Sequence, residues 1–153
     1  MKQKILIASD HAAVELKDFI KRTLKKWQWE DMGPDGSKSV DYPDYAARLA
    51  RRLAARPGLR GILICGTGIG MSIAANKIRG IRAALACNPV TARLSREHND
   101  ANILCLGARL LAPEYAAEIA SVWLETPFSE DGRHTRRIRK IHGLEKSGRG
   151  TAI

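Results

Sequence analysis

Aromatic side chains make up only 5% of this 153-residue sequence, and there are three cysteines. Cys65, Cys87 and Cys105 stand far apart with no C-x-x-C pair. That excludes a disulfide-framed secreted module and a structural zinc site built on paired ligands. Reduced thiols in a cytoplasmic protein are the expectation. No apolar run exceeds six residues, well short of the ~20 that a membrane helix needs. The start, Met1-Lys2-Gln3-Lys4 followed by a short apolar run and Asp10, has neither the long apolar region nor the cleavage site of a secretory signal. Acids are the minority charge, 16 against 26 Lys and Arg, for a formal net charge of +10.

What is present is a globular composition, 44% hydrophobic and 27% charged, at a length that suits one domain of about 100–200 residues. Residues 133–149 concentrate seven Lys and Arg against one acid. Such a segment suits nucleic acid, an anionic membrane surface or a phosphorylated small molecule, and charge alone does not choose among them.

Short apolar strands alternate with helical spacing along the chain. Ile5 to Ala8 reads as a strand, followed by Ser9-Asp10-His11. A helix over 14–26 then has apolar residues at 16, 19, 20 and 24. A weaker strand over 27–32 closes at Gly33-Pro34-Asp35-Gly36, and a helix over 45–56 stops at Pro57-Gly58. Ile62 to Cys65 is a buried strand, and Gly66-Thr67-Gly68-Ile69-Gly70 leads into a helix through Lys77. A strand over 83–86 precedes Asn88-Pro89, a helix cap and first-turn proline. A strand over 103–106, a helix from Pro113 with Ala116, Ile119, Ala120 and Trp123 on one face, and a basic helix over 133–144 complete the pattern. This alternation predicts right-handed crossovers and one α/β domain on a parallel sheet, spanning 1–144, with a fraying tail over 145–153.

Ligands of open parallel sheets bind beyond the carboxyl ends of the strands. Ser9-Asp10-His11, Cys65 with its glycines and Gly107-Ala108-Arg109 fall at such ends, and His98-Asn99-Asp100 precedes the last strand. Together they outline a site, although each Asp or Asn taken alone is equally a cap or turn former. The glycine loop is not a dinucleotide fingerprint, because Met71 stands where a small residue is required. Nor is it a Walker A motif, since no Gly-Lys-Ser/Thr follows. What remains is a turn of backbone N–H groups, either a tight strand-to-helix turn or a cradle for an anionic oxygen. A thiol at such a place, Cys65, can serve as nucleophile or general base. Cys87 and Cys105 read as small core hydrophobes. His98 can transfer protons near neutrality and His11 can hold an anion; a surface or capping histidine is the plainer alternative for both. Arg133 and Arg137 share a helical face and suit a phosphate, against the default of a solvated basic face.

The strings SDHAAVELK (9–17), SVDYPDYA (39–46), GILICGTGIGMSIAANK (61–77), SREHNDANILCLGAR (95–109) and GRHTRRI (132–138) resemble the ribose-5-phosphate isomerase B family, together with its allose- and galactose-phosphate relatives. The resemblance runs to about residue 142. It implies a Rossmann-like three-layer sandwich, and dimers or tetramers with a C-terminal helix reaching a neighbouring subunit and sites shared between subunits. It also implies metal- and cofactor-free interconversion of aldose and ketose phosphates in carbohydrate metabolism. By position, Cys65 is then the base, and Thr67 with the amides of Gly66, Gly68, Ile69 and Gly70 holds the enediolate oxygen. His98, helped by Asp10, opens the sugar ring, and Asn99 binds hydroxyls. His11 and Arg109 of one subunit, with Arg133 and Arg137 of the next, bind phosphate, and Tyr42 walls the site. The family more often carries Gly at the position of Ala13 and Gly-Thr at Gly33-Pro34; neither departure touches an assigned catalytic atom, and Pro34-Asp35 is where a loop near the sugar entrance would differ. Under this reading neither nucleic acid nor membrane is a partner. The basic segment lacks aromatics to stack bases.

Overall fold

A computed structural model describes residues 4–147. Five strands are formed by Lys4–Ser9 (β1), Gln28–Asp31 (β2), Arg60–Cys65 (β3), Ala83–Leu85 (β4) and Ile103–Gly107 (β5). All pairings are parallel, in the order β2-β1-β3-β5-β4. The helices are Val14–Thr23 (α1, entered through a 3-10 turn at His11–Ala13), Tyr42–Ala54 (α2), Ile69–Ala75 (α3), Pro89–Asn99 (α4), Pro113–Glu125 (α5) and Gly132–Ser147 (α6).

Successive strand side chains point to opposite faces and both faces are covered by helices, so the central strands are apolar between their ends, where Lys4, Ser9 and Arg60 stand. Ile5, Ile7, Ile62, Ile64, Leu104 and Leu106 pack under α1, α4 and α5, around the fully buried Trp123. Leu6, Ala8, Leu63, Cys65, Ile103 and Cys105 pack under α2 and α3. The result is the expected three-layer α/β sandwich. Gly61 lets α2 approach β3: a Cβ there would stand 2.6 Å from Leu49 Cδ2. Leu49 and Leu53 are buried by that approach, each contributing about 1.5–3 kcal/mol.

Several boundaries differ from the sequence expectation. Helix α1 ends at Thr23, because Leu24 leaves the helical region while its N–H still caps Ile20 O. Helix α2 starts at Tyr42, three residues early, with Pro43 in its first turn, where a proline needs no N–H partner. Helix α6 continues to Ser147, past the expected end at 144, and the Gly80 N–H donates to Glu145 Oε1 at 2.9 Å. Of the expected tail, 148–153 lies outside the described residues. Cys105 is buried as expected, whereas Cys87, just beyond β4, is exposed and belongs to no core. No described helix is long and apolar enough to cross a membrane.

Candidate active site

The connections out of β1 and β3 leave on opposite faces of the sheet, α1 on one and α3 on the other. A crevice therefore opens between their carboxyl ends, where ligands of such sheets bind. Backbone bonds join its rims: Asp10 N donates to Ile64 O at 3.0 Å, Ala108 N to Cys65 O at 2.8 Å and Arg109 N to Gly66 O at 2.9 Å.

Cys65, the last residue of β3, is 5% exposed, and its Sγ accepts the Gly68 N–H at 3.1 Å. Gly68 makes this turn with φ +77°, and a Cβ there would lie 2.9 Å from the Leu106 carbonyl carbon. Only glycine fits both demands. Thr67 Oγ1 accepts the Ile69 N–H at 3.3 Å, and the Thr67 carbonyl lies 2.7 Å from where a Gly107 Cβ would stand. Two side chains close on this loop. The Tyr42 ring lies 2.5 Å from the Cβ position of Gly70, and Arg109 Nη1 lies 3.2 Å from that of Gly66. Cys105, one turn of the pleat deeper on the same face, has its thiol pushed up by burial and by the nearby Cys65.

On the β1 side, Asp10 is buried and its Oδ1 accepts the Ala12 N–H at 3.0 Å, capping the 3-10 turn. His11 Nδ1 accepts the Val40 N–H at 3.2 Å, which assigns the proton of the neutral ring to Nε2. Val40 thereby ties the loop before α2 to the site. Ala13 is buried in the core, and the Pro34 carbonyl accepts a 2.6 Å bond from the buried Lys17, which also pairs with Asp31 at 2.8 Å. Burial opposes ionisation of Asp31, but Lys17 and Lys21 outweigh it and hold the carboxyl below its ordinary range. The loop after β2 is thus pinned by charge.

His98 and Asn99 lie where the sequence puts them, at a helix end just before the last strand, and within one chain that is away from the crevice. A helix between parallel strands runs back to their amino ends. His98 is therefore about 15 Å down α4 from its Asn88 cap, by helix rise alone, and sits beyond the start of β5. Asp10 and His98 of one chain are on opposite edges. The α4 end is held firmly. Asp100 terminates it with φ +44°, and its carboxylate meets Arg96 Nη1 at 2.7 Å and Arg82 Nη2 at 3.0 Å. Arg82 also donates to Asn99 O at 2.9 Å. Helix α6 packs on this same end. The His134 ring stacks on His98 with centroids 4.3 Å apart, and His134 Nδ1 lies 2.9 Å from Ser129 Oγ. Burial first, then the neighbouring His98 and Arg133, keep the His134 imidazole below its ordinary pKa. Arg133 and Arg137, both exposed on α6, accompany His98 rather than Cys65.

The expected site residues thus fall into two groups within one chain, two candidate half-sites. The first comprises Cys65, Thr67, the glycine amides, Tyr42, Asp10, His11 and Arg109. The second comprises His98, Asn99, Arg133 and Arg137. Sequence reasoning missed Val40, Arg82, Asp100 as a clamp, and His134; Asp100 has a local i,i+4 partner in Arg96, but the other contacts reach far along the chain, which no local spacing announces. The two half-sites frame anion recognition and proton transfer, the needs of a phosphosugar isomerase.

The comparisons agree. Residues 5–141 match the family model described as Ribose/Galactose Isomerase, and the chain belongs to that family. It is 42% identical to the Escherichia coli ribose-5-phosphate isomerase B over 94% of this chain and 97% of that protein. The ribose-5-phosphate isomerase B structure from Clostridium thermocellum superposes with a TM-score of 0.91 at 48% identity, covering 95% of this chain and 99% of that one. The Mycoplasma genitalium ribose-5-phosphate isomerase B, solved with bound ribulose 5-phosphate, gives a TM-score of 0.89 at 41% identity over 95% and 98% of the two chains.

Proposed function

We propose that this chain is a cytoplasmic aldose–ketose isomerase that interconverts ribose 5-phosphate and ribulose 5-phosphate, at a site completed by a second copy of itself. The observation that carries the reading is the first half-site: a buried thiol facing the amide of a left-handed glycine, with the Arg109 guanidinium and the Tyr42 ring closing on the same loop.

In this reading Cys65, as thiolate, takes the C2 proton of the open-chain aldose and returns it to C1. The carbonyl oxygen O1 gains the electron pair that the C–H bond gives up, and the proton of the C2 hydroxyl passes to O1, so that protonation at C1 leaves C2 as the new carbonyl. Thr67 and the amides of Gly66, Gly68, Ile69 and Gly70 stabilise the enediolate where that charge develops. His98 of the partner subunit faces Asp10 across the interface and moves the proton that opens the furanose ring, while Asn99 of the same partner binds sugar hydroxyls. His11, donating through Nε2–H, and Arg109 hold the phosphate with Arg133 and Arg137 of the partner subunit. The dianion supplies remote binding energy that positions C1 and C2. No step calls for a metal or a cofactor.

Two features support assembly. The half-sites are on opposite edges of the sheet within one chain, so one copy cannot bring Cys65 and His98 to one substrate. Ile69 and Ile73 of α3, Leu85 of β4 and Val90 of α4 also stand 36–56% exposed around the glycine loop. An apolar surface of this kind suits a second copy better than water.

The test is turnover of ribose 5-phosphate, allose 6-phosphate and galactose 6-phosphate by the purified protein in excess EDTA. A strong preference for ribose 5-phosphate supports the proposal. A preference for a hexose phosphate keeps the mechanism and replaces the substrate. No turnover of any overturns the catalytic reading in favour of a binding module.

A further inference from the structure

At the amino edge of the sheet, opposite the glycine loop, a cavity of about 450 Å3 is lined by Arg60, Arg82, Arg96, Asp100 and Asn102, with Leu59 among its apolar walls. Asp100 is the lone carboxylate in that lining, and it serves Arg82 at 3.0 Å and Arg96 at 2.7 Å. Glu145 reaches the rim, where it is engaged by the Gly80 N–H at 2.9 Å and lies 3.9 Å from Arg79. Asn102 is consumed by backbone partners, Arg82 N–H and Gly80 O.

Arg60 is the odd member. Its Nη1 donates to Leu124 O at 2.7 Å, and its guanidinium lies 6.0 Å over the Trp123 ring. Arg96 lies over the same ring at 5.8 Å, so two like charges share one aromatic ring. Among the described residues Arg60 has no carboxylate partner, and its Nε and Nη2 donors are uncommitted. Burial and then the repulsion from Arg96 depress its affinity for its proton, with Asp100 only partly offsetting them. A half-buried guanidinium kept charged beside another, with donors to spare, is stabilised by whatever anion enters.

We propose that this cavity is a second anion site, separate from the catalytic crevice, which takes the phosphate group of a small phosphorylated metabolite. Planar guanidinium forks match phosphate oxygens in pairs. The volume leaves room for a small organic moiety beside the phosphate, as in ligand pockets of roughly 300–1,000 Å3. Arg60 is the anchor, because Arg82 and Arg96 are already bonded to Asp100 and to backbone carbonyls.

Equilibrium dialysis with radiolabelled orthophosphate counts the sites per chain. The Arg109→Gln background weakens the phosphate cradle of the catalytic crevice and leaves this cavity untouched. In that background, Arg60→Gln should weaken the remaining saturable binding by about tenfold or more, a loss of about 1.4 kcal/mol. Arg60→Lys should retain part of it, and Arg60→Gln alone should leave isomerase turnover unchanged. In the unmodified protein, the Arg60 Nε–H resonance should shift saturably with phosphate, a readout that does not depend on a variant folding. Phosphate binding unaltered by Arg60→Gln, or an Arg60 resonance indifferent to phosphate, overturns the proposal.

Discussion

Replacing Gly68 by Ala puts a methyl group where the backbone has none to spare. At φ +77° the left-handed conformation costs an L-residue about 1–2 kcal/mol. The new Cβ would stand 2.6 Å from Leu85 Cδ1, which is 36% exposed and can turn away. It would also stand 2.9 Å from the Leu106 carbonyl carbon in the buried strand β5, which cannot. Overpacking of that kind adds about 1–3 kcal/mol. A total near 3 kcal/mol lowers Tm by about 6–12 °C in a chain of this size. Gly70→Ala is the control: its Cβ clashes at 2.5 Å, but its nearest contacts are all with the Tyr42 side chain, which is 39% exposed. That ring can swing aside, and alanine favours the helix by up to about 1 kcal/mol, so Tm should hold while the wall of the site is displaced. Thermal unfolding of both variants at one fixed protein concentration separates the two. Equal Tm values, or a Gly68→Ala protein as stable as the parent, would refute the claim that this loop is locked against β5.

Further outcomes follow from the same geometry. Cys65→Ala should lower kcat by about 10²–10⁴, the usual worth of a positioned proton-transfer group, with KM for ribose 5-phosphate little changed. Arg109→Gln should raise KM by about 10–100-fold, the loss of one or two charged hydrogen bonds, and leave kcat closer to the parent. The folded state keeps His134 neutral below its ordinary value of 6.5. The stability that His134 gives α6 is therefore full above that value and lost as pH falls through it, because the unfolded chain binds the proton more readily. The protection of α6 amides against exchange, corrected for the intrinsic pH dependence of exchange, should fall below that value, and His134→Phe should flatten the dependence.

Much of the fold was legible because buried parallel strands are written as unbroken apolar runs, as in Ile62 to Cys65, and because Asn88-Pro89 is an unambiguous helix start. Helix α2 was harder: Tyr42-Pro43-Asp44 has the composition of a turn, yet a first-turn proline opens a helix equally well. The glycine loop with Cys65, and Arg109 beside it, fell where the sequence put them. His98 also fell just before the last strand, and topology adds the consequence that a residue there belongs to the amino edge of the sheet, away from the glycine loop of the same chain. The stack of His134 on His98 and the Arg82–Asp100 pair stayed hidden, since they join segments 36 and 18 residues apart with nothing in either to point at the other, whereas the Arg96–Asp100 pair has an i,i+4 spacing that could have been read.

The claim of a site shared between copies is tested by mixing two inactive variants. Cys65→Ala and His98→Ala chains are each assayed on ribose 5-phosphate alone, then unfolded together in equal amounts and refolded. In a two-fold assembly a mixed pair keeps one intact site of two, and random pairing makes half the dimers mixed. Activity should then return to about a quarter of the parent's. A mixture as inactive as its components, with both variants folded and paired, would contradict a site built from Cys65 of one copy and His98 of the next.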